Sequence, residues 1–168
     1  IIDDPLRPRG LASKPFDAEG LAVSRRVLID KGVLTGWLLD LRSARQLGLA
    51  PTGNASRGTS RPPSPATTNL YIAPGSVSPA ALMKPIARGL YVTELMGMGV
   101  NGVTGDYSRG AAGFLIEDGE ITQPVSEITI AANLRDMFRS LAVADDLEFT
   151  SSTNAPTCRI ERMTVAGA

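Results

Sequence analysis

Glu117-Asp118-Gly119 stands between two β-prone runs, Phe114-Leu115-Ile116 and Glu120-Ile121-Thr122. An Asp-Gly step in that setting calls for a tight turn with positive φ, and such turns join adjacent antiparallel strands. A second instance lies upstream. Asp30-Lys31-Gly32 is flanked by Val27-Leu28-Ile29 and by Val33 to Leu39. Two hairpin signals commit much of the chain to antiparallel pairing.

The rest of the pattern agrees. Val125 to Ile130 alternates apolar and polar residues, as a half-buried strand does. Leu70-Tyr71-Ile72, closed by Ala73-Pro74-Gly75, is expected to be a strand, as are Leu90 to Leu95 and Arg159 to Val165. Helical signals are brief. Ser43 to Leu47 reads as a short helix stopped at Gly48. Ser78 is placed to cap a helix that starts at Pro79. Asn133 to Phe138 is the third helical stretch. Pro51 to Pro65, rich in Gly, Ser, Thr, Asn, Arg and Pro, is expected to be a long exposed loop. Trp37, Tyr71 and Tyr91 are expected in the core. No fixed-period repeat is present. The expected fold class is α+β: predominantly antiparallel β, a curved or barrel-like sheet and about three short helices, in one domain covering residues 1–168.

Composition limits the chemistry. The 168 residues include no histidine and one cysteine, Cys158. Neutral imidazole and thiolate are the usual ligands of transition metals and the usual proton carriers near pH 7. No catalytic residue and no metal ligand is therefore expected on this chain, and no cofactor. Lys plus Arg and Asp plus Glu are 17 each, so the formal net charge is zero. That gives no global attraction for nucleic acid, and no direct nucleic-acid partner is expected. One cysteine makes no internal disulfide, which fits a reducing compartment. No apolar run approaches the roughly 20 residues that span a bilayer, so no membrane partner is expected. The opening Ile1-Ile2-Asp3-Asp4-Pro5 has neither an initiator Met nor a signal sequence, and reads as a chain entered midway.

Met98 to Gly113 is dense in glycine and small polar residues. Glycine permits positive φ and close backbone approach, and successive N–H groups in such a loop can form an anion-binding nest. Asp106, Tyr107, Ser108 and Arg109 add a carboxylate, a phenol, a hydroxyl and a guanidinium, and Arg109 suits bidentate capture of a carboxylate. The competing reading is a glycine-filled architectural corner, with Asp106 and Arg109 satisfying groups inside it. The pattern lacks the Gly-Lys-Ser/Thr of a nucleotide-phosphate loop. Asn54, Ser56 and Arg57, in the long polar loop, are candidates for partner or peptide contact.

The run Val103-Thr104-Gly105-Asp106-Tyr107-Ser108-Arg109-Gly110-Ala111-Ala112-Gly113-Phe114, followed by Ile116 to Ile121, Pro124-Val125, Glu127 to Ala131 and Asn133-Leu134, resembles the C-terminal domain of the TldD/PmbA family. Pro51 to Gly58, Thr68 to Gly75 and Ile160 to Gly167 fit the same family, in its PmbA branch, also called TldE. The resemblance covers nearly the whole chain in ordered blocks.

It implies a bacterial or archaeal cytoplasmic protein of a kind often labelled a modulator of DNA gyrase. TldD-type and PmbA-type subunits of that family form a heterodimeric metallopeptidase that processes peptide precursors such as microcins and degrades small unfolded antitoxins. Its zinc is expected only in the TldD-type partner, which carries a His-Glu-x-x-x-His helix and a cysteine ligand. The resemblance implies a non-catalytic supporting subunit whose partners are a TldD-like subunit or a second copy in a homodimer, and an unfolded peptide. Two alternatives accompany it: a homodimeric zinc peptidase with its ligands in an N-terminal region, and a gyrase regulator that does not bind DNA directly. The family's N-terminal α/β domain is not represented in the sequence. The family's ligand cysteine lies in a Gly-rich loop before the last strand. Cys158 instead starts that strand, so the metal role is not carried to it, and a small, partly buried thiol is expected. The acidic groups Glu117, Asp118 and Glu120, and Asp145, Asp146 and Glu148, are expected to be solvated turns.

Overall fold

The Asp118-Gly119 step turns as its residue types require. Asp118 has φ 49° and Gly119 φ 84°, and the strands on either side are the longest in the molecule. The computed structural model describes residues 1–167. In chain order the elements are β1 (Ile2–Asp3), β2 (Arg26–Val27), β3 (Ile29–Asp30), β4 (Val33–Leu34), α1 (Leu41–Leu47), β5 (Ala55–Ser56), β6 (Ser64–Pro65), β7 (Leu70–Tyr71), α2 (Pro79–Met83), β8 (Arg88–Met96), β9 (Asp106–Glu117), β10 (Glu120–Asn133), α3 (Leu134–Arg139), β11 (Ala142–Val143), β12 (Thr153–Asn154), β13 (Cys158–Arg159) and β14 (Thr164–Ala166). The class is α+β, with pairing almost entirely antiparallel. Among the described residues the strands form several separate sheets and close no barrel.

The chain folds as two compact units. One comprises residues 1–73 and 147–156, the other, among the described residues, 74–146 and 157–167. In the first, the sheet runs β12-β7-β1-β2. Its one parallel pair is β7 with β12, where Leu70 N–H donates to the Ser152 carbonyl (2.8 Å) and Ile72 N–H to that of Asn154 (3.1 Å). Two small hairpins, β3–β4 and β5–β6, complete the unit. Lys31 (φ 47°) and Gly32 (φ 83°) make the turn of β3–β4 as read. Helix α1 is capped by Asp40, whose carboxylate accepts the Ser43 N–H at 2.7 Å, and it ends at Gly48 in the left-handed region.

In the second unit the sheet is β14-β10-β9-β8. Strand β10 carries register shifts between Ile121 and Pro124 and between Val125 and Ile128, and β8 carries one between Val92 and Glu94. Such bulges bend a strand and increase its twist. Pro124, which has no N–H for the ladder, sits at one of them. The core of the sheet is Ala111, Ile128 and Ile130, with Leu90, Tyr107, Val125 and Met163 packed against it. Ser78 caps α2 as the sequence suggests, and Asn133, which opens the third helical stretch, is the cap of α3.

Three expectations need correction. Arg159 to Val165 is not one strand: β13 pairs with β11 and β14 pairs with β10, and Ile160 to Met163 between them is unpaired. Pro51 to Pro65 is not an exposed loop throughout, because residues 52–55 are buried and β5–β6 form a hairpin. Trp37 is 58% exposed and lies outside the strands. The strand in the β-prone run that contains it ends at Leu34, and the last backbone bond across the hairpin is from Thr35 N–H to the Leu28 carbonyl. Tyr71 does pack, edge-on to Phe149 with ring centroids 5.2 Å apart.

Candidate functional site

The seven candidate residues divide between the units: Asn54, Ser56 and Arg57 in the first, Asp106, Tyr107, Ser108 and Arg109 in the second.

Asn54 is 1% exposed. Its Nδ2 donates to Asp3 Oδ2 at 2.9 Å, and its Oδ1 is buried without a partner. The other oxygen of Asp3 accepts the Thr68 N–H (2.6 Å) and the Thr68 hydroxyl (2.9 Å). Asp17 anchors the next residue by accepting the Ala55 N–H at 3.0 Å. Burial raises the Asp17 carboxyl, but the N–H groups of Ala55, Leu21 and Glu19 and the charge of Lys14 outweigh it and hold the group below the ordinary aspartate range. A buried charge persists only when its lone pairs are filled in this way. The polar residues of Thr52 to Ala55 are thus internal anchors, whereas Ser56 and Arg57 are exposed. Sequence reading missed Asp3, Asp17 and Thr68. Short polar side chains beside turns were the signal, but their partners lie far away along the chain.

The glycine-dense segment is half loop and half strand. Residues 97–105 connect β8 to β9, whereas Asp106 begins β9. Asp106 to Arg109 are paired with Asn133 to Ile130 of β10, and Ser108 N–H donates to the Gly99 carbonyl at 2.7 Å. Backbone groups used in a ladder do not form an anion nest, so that possibility falls for these four residues. Two of the glycines serve close packing instead: a Cβ at Gly99 would run into the carbonyl of Ser108, and one at Gly113 into that of Tyr91. Tyr107 packs against the core. Arg109 donates from Nη2 to the Leu95 carbonyl at 3.3 Å. Asp106 accepts the Thr104 hydroxyl at 2.7 Å, and Ser108 is exposed. Asn133 closes the corner, capping α3 through Arg135 N–H (3.1 Å) and donating to the Thr104 carbonyl at 3.0 Å.

Glu117, Asp118, Glu120, Asp145 and Glu148 are exposed, whereas Asp146 is used structurally. Asp146 accepts the hydroxyl (2.7 Å) and N–H (2.8 Å) of Thr157, which keep its carboxyl below the ordinary range. Cys158 is more exposed than expected, yet desolvation and then the charge of Asp146 push its thiol up. Among the described residues no three His, Cys, Asp or Glu side chains gather as a metal site. With no histidine and a single cysteine, the residues present do not fit a zinc centre.

A family described as the PmbA/TldA metallopeptidase C-terminal domain matches residues 1–167. The chain belongs to this family. It is 47% identical over 168 residues to metalloprotease PmbA of Escherichia coli O157:H7, covering 99% of this chain and 35% of that protein. The metalloprotease PmbA homolog of Haemophilus influenzae is 41% identical over 169 residues, covering 99% and 36%. The same organism's metalloprotease TldD homolog is 29% identical over 148 residues, covering 87% and 31%. The crystal structure of TldE from Thermococcus kodakarensis matches with a TM-score of 0.87 at 28% identity, covering 99% of this chain and 39% of that chain. The PmbA/TldA domain thus spans about a third of the curated relatives it matches. No described helix is long and apolar enough to cross a membrane.

Proposed function

We propose that this chain is the C-terminal domain of a PmbA-type, or TldE-type, subunit that supplies no metal ligand and helps hold an unfolded peptide for a metal-bearing TldD-type subunit. The observation that carries the branch is the Haemophilus influenzae pair: 41% identity to the PmbA homolog against 29% to the TldD homolog. The donor set supports it, since 168 residues offer no histidine and one cysteine whose thiol is pushed up. The open edge supports peptide holding. Strand β8 lies at the end of its sheet with β9 on one side only, and an extended peptide can add to such an edge by main-chain hydrogen bonds. A cytoplasmic location accompanies this reading. A homodimeric zinc peptidase is the competing reading, and a His-Glu-x-x-x-His sequence elsewhere in the same polypeptide would favour it.

The test is cleavage of an unstructured peptide by the chain alone and with a TldD-type subunit added. Cleavage is expected only in the second case. Chelator-sensitive cleavage by the chain alone would overturn the proposal.

A further inference from the structure

The zero net charge hides a partition. The first unit has ten Lys and Arg against seven Asp and Glu, a formal +3, and the second has seven against ten, a formal −3. The surface imbalance of the first unit is larger still. Asp3, Asp17 and Asp40 are buried and occupied by donors, whereas none of the ten cations is buried.

Four of those cations gather on residues 52–61. Arg57 and Arg61 lie in the connection of the β5–β6 hairpin and are exposed. Arg26 donates from Nε to the Thr52 carbonyl at 3.2 Å, and Lys14 donates from Nζ to the Ala55 carbonyl at 3.2 Å. None of the four is in an ion pair among the described residues. The acidic groups beside the segment are Asp3 and Asp17. Asp3 is spent on Asn54 and Thr68, while Asp17 is spent on backbone N–H groups and shares only the field of Lys14.

We infer that the β5–β6 hairpin, with Arg26, Arg57, Arg61 and Lys14, is a docking surface for an acidic, extended polypeptide segment. Uncompensated cations steer an oppositely charged partner and set its register more than they add raw affinity. Thr59 and Ser60 place hydroxyls between the two arginines, and Pro62-Pro63 stiffens the end of the connection that leads into β6. Carboxylates fit better than nucleic acid. The connection from Arg57 to Pro63 has no aromatic side chain on which a base could stack. The −3 second unit also removes the net pull on a long polyanion. The inference rests on the peptide-holding reading only for the origin of the segment.

The test uses the full chain and a fluorescein-labelled, glutamate-rich unstructured peptide, followed by fluorescence anisotropy at low and high salt. Binding is expected at low salt and should weaken as salt rises. An R57E/R61E variant should lose at least tenfold in affinity and most of the salt dependence. R139A/R162A, in the second unit, should bind as the parent does. Circular dichroism checks folding, and the milder R57Q/R61Q pair replaces the reversal if that variant unfolds. Three outcomes overturn the inference: no binding of the acidic peptide, unchanged affinity in the arginine variants, or tighter binding of a single-stranded oligonucleotide of equal charge. No metallopeptidase is in the assay, so its failure is separate from failure of partner-dependent cleavage.

Discussion

Asp3 and Asn54 are 51 positions apart and joined by a buried 2.9 Å hydrogen bond, with Asp3 wholly excluded from solvent. The same carboxylate holds Thr68 through two further bonds. One side chain therefore ties β1, the approach to β5 and the approach to β7.

Removing one partner of such a bond leaves the other desolvated. Asn54→Ala should cost about 1–3 kcal/mol, the usual penalty for a buried polar group left unpaired. Asp3→Ala should cost more, since it orphans Asn54 and Thr68 together. Urea unfolding of both single variants and the double variant checks this. A double variant whose loss equals the sum of the singles would show that the two residues are not coupled.

Gly105 has φ +82°, and a Cβ there would lie 3.0 Å from Asn133 Oδ1. Gly105→Val should lower stability by roughly 1–3 kcal/mol, the range for imposed backbone strain. Thermal unfolding decides between corner and ligand site: an unchanged midpoint with binding lost would favour a ligand site.

Asp17, Asp40 and Asp146 are all held below their ordinary range in the folded chain. Groups with depressed native pKa give stability that is complete above the unfolded value, about 3.9 for aspartate, and is lost as pH falls through the native value. Stability should stay level from neutral pH down to about 4–5 and then fall. Asp17→Asn should be less stable at neutral pH and lose less on acidification. Urea midpoints across pH check both, and a parent protein more stable at pH 3 than at pH 7 would contradict the assignment.

The thiol of Cys158 is pushed up by desolvation and by Asp146. Thiolate is the reactive form, so alkylation by iodoacetamide near pH 8 should be slower than for an unstructured cysteine peptide. Asp146→Asn should speed it, provided the fold survives the loss of the Thr157 contacts.

With no histidine and one cysteine, the purified chain should hold no stoichiometric zinc. Elemental analysis after dialysis measures this directly, and one tightly held zinc per chain would refute it.

Local chemistry was legible in the sequence. Asp118-Gly119 and Lys31-Gly32 turn the chain where they were read to, and Gly48, Ser78 and Asn133 bound their helices. Each of those features depends on a few neighbouring residues. Long-range features were hidden. The paired start of β9 at Asp106 depends on β10 and on Gly99, not on the glycine count around it. Likewise Asn54 looked like a loop residue because its partner, Asp3, lies 51 positions away. At Trp37 the β-prone run outlasted its pairing partner.

Strand β12 belongs to the sheet that contains β1 and β7, though the whole of the second unit's main sheet except β14 is encoded before it. During synthesis, then, the early sheet waits one strand short while β8, β9 and β10 are made. Chains emerge from the ribosome at about 5–20 residues per second, so the exposed edge of β7 is open for seconds. A ribosome stalled before Asn154 would leave a nascent chain in which β7 has nothing to pair with on that side.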